Sequence, residues 1–254
     1  MKIEIIGNKK IHLILFHGWG IGKKIWHWIK LELSKYFTLH LFDMPGYGDN
    51  CNLYVHKIQD LIYMINQYIP QKCILIGWSM GGIITNHLAL QYPKKIMAII
   101  NICSSPYFIK KNNWPGIEIN FLKNMLNELK KNYRKTIINF LQYNVPNIMK
   151  DINNYNYIHN TLLKKPYPKP FILKKNLKII KQSDLRNKIK KIKCPKLNIY
   201  GVLDKIVPIE IIYYLERKNT KSKIINHTAH LPFISQSKNF CTIIKKFIST
   251  LQNL

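Results

Sequence analysis

Short apolar runs alternate with amphipathic segments along most of this chain. Runs typical of buried strands cover 11–16, 37–43, 72–78, 96–102, 196–201 and 223–226. Segments with the apolar spacing of a helix cover 58–69, 80–91, 208–217 and 237–251. Strands that alternate with helices indicate a mostly parallel sheet with helices on both faces. The pattern therefore predicts the α/β class.

The alternation stops between residues 107 and 182. This stretch is polar, rich in Lys and Asn and helical in spacing, with a proline-rich patch at 165–170. We interpret it as a helical lid inserted over the sheet. The predicted organisation is thus a core of residues 1–106 and 183–254 and a lid of residues 107–182.

A candidate nucleophile lies between a predicted strand and a predicted helix, in Gly77-Trp78-Ser79-Met80-Gly81. This is the G-x-S-x-G pattern, and the strand–turn–helix context is the one that a nucleophile elbow requires. The sharp turn projects the Ser79 hydroxyl from the sheet and leaves the Met80 N–H at a helix N-terminus, where it can face a developing oxyanion. The motif predicts nucleophilic catalysis by Ser79.

A serine nucleophile needs a base and an acid, which follow it in this chain order in such folds. His230 lies in a loop after the last predicted strand and is favoured as the base over His227, which sits at the strand end. Asp204 follows the strand 196–201, at the sheet edge where open α/β folds build their sites. Asp43 and Asp184 fit less well, because one precedes the elbow and the other precedes the returning strand.

The second oxyanion donor is predicted in the loop 17–20, which reads HGWG and follows the first long strand. Its two glycines permit close approach of a substrate to the backbone. We assign the Trp19 N–H as the donor that works with the Met80 N–H, and the Trp19 side chain could also line an acyl pocket.

Composition excludes several classes of protein. The chain has 254 residues and is 47% apolar, which is enough for a packed core. No apolar run approaches the roughly 20 residues that span a bilayer, and the first residues lack a signal-peptide core. Five cysteines without a CxxC pair argue against a disulfide framework or a zinc site. We expect a cytoplasmic protein with no metal.

The charge is strongly positive, because 40 Lys and Arg stand against 12 Asp and Glu, for a formal net charge of +28. Only three of the basic residues are Arg, whose planar fork nucleic-acid readers favour. A bias toward A/T-rich codons could supply much of the lysine excess. An acidic protein partner is a better interpretation than nucleic acid.

The motifs together resemble the α/β-hydrolase fold: HGWG, DMPGYG, GWSMGG, GVLDKIVP and HLPF occur in this order. More narrowly, the chain resembles the pimeloyl-[acyl-carrier protein] methyl ester esterases of biotin synthesis. The stretches that carry this resemblance are 13–20, 37–48, 75–82, 104–117 and 230–235. The resemblance implies an α/β-hydrolase core with a helical lid, hydrolysis of a methyl ester on a carrier-bound acyl chain, and no cofactor.

The resemblance also implies a set of substrate and partner contacts. Segment 139–141 resembles a substrate-lining part of the family's lid, and the implied substrate-binding residues are Trp19, Ser79, Met80, Phe140, Leu141, Tyr143, Asn144 and His230. Residues 107–182 carry a net +12, which is denser than the rest of the chain. We expect the acidic acyl carrier protein to dock on Lys130, Lys131, Arg134 and Lys135.

Two alternatives remain open at this point. The same triad would serve a small-molecule carboxylesterase, a thioesterase or a C–C bond hydrolase, because fold and triad do not fix the substrate. The chain could also be a catalytically silent binding protein on a hydrolase scaffold, although Ser79, Asp204 and His230 argue against it. We further expect a monomer that binds neither nucleic acid nor membrane.

Overall fold

A seven-stranded sheet forms the centre of the protein in a computed structural model, which describes residues 1–251. The strands are β1 (Ile3–Ile6), β2 (His12–Phe16), β3 (Thr38–Phe42), β4 (Cys73–Trp78), β5 (Ile96–Ile102), β6 (Lys196–Gly201) and β7 (Thr220–Ile225). Their order is β1-β3-β2-β4-β5-β6-β7, and β1 is antiparallel to β3 while the other pairs are parallel. The predicted α/β class with a mostly parallel sheet is confirmed.

Helices cover this sheet. They are α1 (His27–Ser34), α2 (Ile58–Asn66), α3 (Met80–Gln91), α4 (Ile119–Lys131), α5 (Tyr133–Asn144), α6 (Ile152–Tyr157), α7 (Pro170–Gln182), α8 (Ile212–Leu215), α9 (Pro232–Ser235) and α10 (Ser237–Leu251). Within residues 1–251, none of them combines the length and the apolar character needed to traverse a bilayer.

The order of the strands creates a switch point between β2 and β4. From β2 the chain moves to β3 on one side, and it then returns to β4 on the other side. The register pairs Phe16 of β2 with Gly77 of β4, so the loops that follow these two strands leave the sheet side by side. Open α/β sheets bind ligands at such a point, outside the carboxyl ends of the strands.

Helices α4 to α7 lie between β5 and β6 in the chain, within the predicted lid. Their apolar sides, which include Leu122, Leu126, Leu173 and Leu177, join the buried cluster that contains the strands' own side chains. The division into a core and a lid at residues 107–182 stays a prediction. Its last three core residues, 252–254, lie outside the described part of the chain.

Some predicted elements differ from the structure. The predicted helix 208–217 is wrong in extent, because only a 3-10 turn at Ile209–Ile211 and the short α8 form there. The last strand begins at Thr220 rather than at residue 223, because its polar, lysine-rich start at the sheet edge hides the apolar alternation. Sequence reasoning missed β1 and α1, and β1 is an edge strand with little buried surface.

Candidate active site

The Ser79 hydroxyl is carried by a tight turn from β4 into α3. Ser79 has φ 54° and ψ −118°, a region that side-chain-bearing residues rarely adopt. Neighbouring glycines make the turn possible, because a Cβ at Gly81 would overlap the Phe16 carbonyl oxygen and one at Gly77 would overlap the Gly81 backbone. This geometry is that of a nucleophile elbow.

Hydrogen bonds hold this strained turn in place. The Ser79 N–H donates to the Ile102 carbonyl at 2.9 Å, and the Ser79 carbonyl accepts from the Ser104 hydroxyl at 2.7 Å. The Gly82 N–H donates to the same carbonyl at 2.9 Å. The turn is therefore fixed by the end of β5 as well as by its own helix.

Asp204 and His230 form a buried pair. The His230 Nδ1 lies 2.8 Å from the Asp204 Oδ2, while the Asp204 Oδ1 accepts from the N–H groups of Ile206 and Val207 at 2.8 and 3.0 Å. A carboxylate only accepts, so Nδ1 carries a proton and the neutral ring leaves Nε2 free to take one. This is the tautomer that a general base for Ser79 requires.

The His230 loop is held from two sides. The Trp78 Nε1 donates to the His230 carbonyl at 2.9 Å, and the His230 N–H donates to the Asn144 Oδ1 at 3.2 Å. Asn144 ends α5 and also donates to the Phe140 carbonyl at 2.8 Å. Asn144 therefore contacts the backbone of the predicted base, and its predicted contact with the substrate stays a prediction.

The rival residues lie elsewhere. His227 is exposed, with φ 57°, at the turn after β7. Asp43 is buried but accepts from the Lys23 N–H at 2.8 Å and from the Asp49 N–H at 3.2 Å, which ties the loop after β3. Asp184 is exposed and forms an ion pair with Arg186. The structure brings none of the three to the elbow.

His17 connects the loops that follow β2 and β3. Its Nδ1 donates to the Gly18 carbonyl at 2.8 Å, and its Nε2 accepts from the Met44 N–H at 3.0 Å. Burial lowers the pKa of His17, and only the neutral ring can accept at Nε2. A neutral His17 thus sets the start of the loop that contains Trp19. Sequence analysis did not single out this residue.

The predicted oxyanion loop is also tied to the inserted helices. The Trp19 Nε1 donates to the Leu173 carbonyl of α7 at 3.0 Å. The Tyr133 hydroxyl of α5 donates to the Gly20 carbonyl at 2.7 Å, and the Gly20 N–H donates to the Tyr47 hydroxyl at 3.2 Å. Both backbone groups of Gly20 are therefore held by phenols, which fixes the loop against the helices above it.

An apolar cavity with about 410 Å³ of empty space opens beside the elbow. Ser79, His230 and Trp19 line it together with side chains of the inserted helices. The apolar wall includes Phe121, Leu122, Met125, Phe140 and Ile180.

Four of the predicted substrate residues do not line this cavity: Leu141, Met80, Tyr143 and Asn144. Leu141 is fully buried in the hydrophobic core, and Met80 is the first residue of α3. Tyr143 is 61% exposed, with the Lys205 Nζ 5.8 Å from its ring centre, so it lies outside the cavity wall. Trp78, Phe108 and Met125 line the cavity and were not predicted as substrate contacts, because apolar residues in that pattern are equally typical of a core.

The predicted docking residues differ in exposure and in their contacts with other groups. Lys130 and Lys135 are exposed. The Lys131 Nζ pairs with the Glu128 Oε1 at 3.1 Å, and the guanidinium of Arg134 contacts the Leu163 carbonyl and the His159 ring, at 3.3 and 3.0 Å. Arg134 thus connects α5 to the segment that follows α6.

Cys103 is a further buried group at the site. Its sulfur, the Asp204 carboxylate and the His230 ring present atoms that all lie within 4.8 Å of one another. Burial raises the pKa of the Cys103 thiol, and the nearby Asp204 raises it further. Thiol, carboxylate and imidazole are all groups that ligate metals. However, the Asp204 oxygens already accept hydrogen bonds from three groups, which suits an acid that orients His230.

Comparison with known proteins agrees with this geometry. The pattern of the alpha/beta hydrolase fold family matches residues 11–237. A pimeloyl-[acyl-carrier protein] methyl ester esterase of Wigglesworthia glossinidia brevipalpis is 39% identical over 249 residues, which are 96% of each chain. The protein of the same name from Salmonella heidelberg is 32% identical over 98% of each chain.

Solved structures share the fold at lower identity. An esterase from Exiguobacterium antarcticum has a TM-score of 0.83 at 17% identity, covering 97% of this chain and 94% of its own. A hydrolase from Oleispira antarctica has a TM-score of 0.81 at 21% identity, covering 99% and 94%. The resemblance found in the sequence is confirmed: the chain belongs to the alpha/beta hydrolase fold family and, within it, to the family of the pimeloyl-[acyl-carrier protein] methyl ester esterases.

Proposed function

We propose that this protein is a serine carboxylic ester hydrolase that converts the methyl ester of pimeloyl-[acyl-carrier protein] to pimeloyl-[acyl-carrier protein] and methanol. The observation that carries the proposal is the buried His230–Asp204 pair, in which Nδ1 and Oδ2 are 2.8 Å apart and His230 lines the same apolar cavity as Ser79. The substrate is inferred from relatives of the same family, which are 32–39% identical over nearly the whole chain.

In the proposed reaction, the Ser79 oxygen attacks the ester carbonyl carbon while the His230 Nε2 takes the hydroxyl proton. The N–H groups of Trp19 and Met80 stabilise the oxyanion. The tetrahedral intermediate expels methoxide, which leaves as methanol with the proton from His230. A water molecule, deprotonated by His230, then hydrolyses the acyl-enzyme and releases the free carboxylate.

Asp204 keeps the base in the reactive tautomer through both steps. Its Oδ1 is held by two backbone N–H groups, so its Oδ2 stays aimed at the His230 Nδ1 and stabilises the imidazolium that forms. The apolar cavity wall suits the methylene chain of a pimeloyl group, since apolar surface leaves water on binding.

The carrier protein is the proposed partner, and the positive charge of the chain suits an acidic one. Lys130, Lys131, Arg134 and Lys135 stay the docking residues predicted from the sequence. That the protein is a monomer, acts in the cytoplasm and binds neither nucleic acid nor membrane also stays a prediction.

The test is to incubate the protein with methyl pimeloyl-carrier protein, with free methyl pimelate and with a short p-nitrophenyl ester. We expect methanol and a free carboxylate from the carrier-bound ester. Ser79→Ala should lower kcat about 10⁴-fold or more on all three substrates, whereas Ser249→Ala, an exposed serine on α10, should leave it unchanged.

Two results would contradict the proposal. Rapid hydrolysis of the short ester without turnover of the carrier-bound ester would favour a small-molecule esterase. Ser79→Ala activity within tenfold of the parent would remove Ser79 from the mechanism.

A further inference from the structure

A polar cleft lies where residues of α2, α3 and α7 come together. We define it as the α2–α7 cleft, with about 900 Å³ of empty space, and it shares no lining residue with the catalytic cavity. Its basic lining residues are four lysines and two histidines: Lys57, Lys175, Lys178, Lys188, His56 and His87.

The positive charge of these lysines is not compensated within the protein. Lys57, Lys178 and Lys188 are exposed, and none of the three forms an ion pair within residues 1–251. Lys175 is half-buried, and its Nζ lies 3.4 Å from the His56 Nδ1, which is not a counter-charge.

The one carboxylate among the lining residues, Asp184, is already engaged. Its Oδ1 accepts from the Arg186 Nε at 2.9 Å, and its Oδ2 accepts from the second guanidinium nitrogen at 2.5 Å. This bidentate pair uses both carboxylate oxygens. The lysines of the cleft therefore have no free carboxylate among the residues that line it.

The amino end of α2 forms part of the same wall. Lys57 is the N-cap of this helix and makes no side-chain cap, and the N–H groups of Ile58, Gln59 and Asp60 have no partner among the described residues. Ile58 and Gln59 line the cleft. Free N–H groups and the positive end of the helix dipole favour an anion here.

A buried imidazole supplies an independent observation. His87 of α3 lines the cleft and is only 9% exposed, and its Nε2 is buried without a hydrogen-bond partner among the described residues. A neutral imidazole can donate from this nitrogen to an oxygen of a ligand. A water molecule would satisfy His87 alone and would leave the lysine charge uncompensated.

These groups suit one chemical class of ligand. A phosphoryl group has several oxygens and more than one negative charge, so it can accept from ammonium groups, from a helix N-terminus and from an imidazole N–H together. A single carboxylate has fewer oxygens and less charge. We propose that the α2–α7 cleft binds the phosphoryl group of a small phosphorylated molecule.

A ligand in this cleft would join the inserted helix α7 to the helices α2 and α3, because all three line it. Helix α7 also accepts the hydrogen bond of the Trp19 side chain, through the Leu173 carbonyl. Since a ligand that binds only the folded state stabilises it, occupancy should raise the temperature of unfolding.

The experiment titrates pyrophosphate into the full chain at low salt by calorimetry. The cleft variant carries Lys57→Gln, Lys178→Gln and Lys188→Gln. The matched control carries Lys223→Gln, Lys238→Gln and Lys246→Gln, which are exposed lysines of β7 and α10 that do not line the cleft. Citrate, a tricarboxylate of similar charge, is the control ligand.

We expect the wild type and the control variant to bind pyrophosphate with affinities within twofold of each other, and the cleft variant to bind about tenfold more weakly or worse. Pyrophosphate should raise the midpoint of thermal unfolding of the first two proteins more than that of the cleft variant. His87→Leu should weaken binding about threefold or more, because it removes a donor to a charged group.

Equal affinities of the cleft variant and the wild type would overturn the proposal, as would an equal loss in the control variant. Citrate binding as tight as that of pyrophosphate would show that the cleft selects charge and not phosphoryl groups, and would also overturn it. Wild-type affinity in a folded His87→Leu protein would have the same consequence. Should His87→Leu fail to fold by circular dichroism, the exposed lysine substitutions decide.

Discussion

At the residue scale, the site depends on a few side chains whose protons and donors are fixed by neighbours. Asp204 sets the tautomer of His230, and Asn144 holds the His230 backbone. His17 is kept neutral by burial and by the N–H that it accepts from Met44. These polar side chains are thus held by hydrogen bonds to their neighbours, so a substitution of one of them also removes a contact of another group.

His230 and His227 give a matched pair of substitutions. His230→Ala should lower kcat on a short ester nearly as much as Ser79→Ala, about 10⁴-fold, because the triad acts as a unit. His227→Asn should leave kcat within twofold, since His227 is exposed and Asn tolerates its positive φ of 57°. Steady-state kinetics measure both effects. An inactive His227→Asn variant together with an active His230→Ala variant would show that His227, and not His230, is the base.

Sequence reasoning predicted Ser79, Asp204 and His230 as the triad because each stands in a recognisable motif or follows a predicted strand. It did not identify His17, Tyr47, Tyr133 or Cys103 as parts of the site. Their contacts join residues that are far apart in the chain, such as Tyr133 and Gly20. A single sequence contains no signal for such contacts, because a buried tyrosine in an amphipathic helix looks like any core residue.

At the scale of elements, the predictions for buried strands and for α3 are accurate. The bounds of α3, β5 and β6 match the predicted ranges, because glycine, proline or charged residues delimit their apolar runs. Among the elements that were missed or misjudged, β1 and β7 are the edge strands of the sheet and α8 has four residues, and the local pattern is weak in such elements. The hydrogen bonds between the HGWG loop and α5 and α7 could not be predicted, since they depend on how the inserted helices pack.

These bonds predict that the inserted helices help to position the oxyanion loop. Tyr133→Phe removes the 2.7 Å bond to the Gly20 carbonyl but keeps the ring that stacks on Tyr167. We expect kcat on a short ester to fall about tenfold, less than the 10²–10³-fold for loss of an oxyanion donor, with about 1 kcal/mol of stability lost.

Tyr213→Phe is the control, because Tyr213 is 83% exposed and distant in the chain from the loop. Kinetics and thermal unfolding of the two variants should be compared side by side. If Tyr133→Phe behaves like Tyr213→Phe, the bond does not position the loop.

At the scale of the whole molecule, buried histidines make folding depend on pH. Burial lowers the pKa of His40 to about 4, and the neighbouring His12 lowers it further. Burial likewise lowers the pKa of His87 to about 4, with a contribution from the charge of Lys188. Burial also lowers the pKa of His17. In the unfolded chain these groups titrate near 6.5. The unfolded state therefore binds more protons between pH 6.5 and 4, and stability is full above this window and falls as the pH is lowered.

We expect the free energy of unfolding, measured by urea denaturation, to fall through that window by up to about 1.4 kcal/mol per pH unit for each such histidine. His87→Leu should flatten the slope by one histidine's share, because the His87 Nε2 is buried without a hydrogen-bond partner among the described residues. A slope parallel to that of the wild type would show that His87 is not a source of the effect.

The strained backbone of Ser79 implies that the protein gives up some stability against unfolding in order to hold its catalytic serine. Glycine adopts φ 54° and ψ −118° without the strain that any L side chain meets there, which is about 1–3 kcal/mol. Ser79→Gly should therefore yield an inert protein that resists urea better than the active one by about 1 kcal/mol, after the added chain entropy of glycine. Ser79→Ala should be inert without this gain. Equal urea midpoints for the two inert proteins would mean that the elbow stores no such strain. The conformation of the serine would then cost this enzyme no stability.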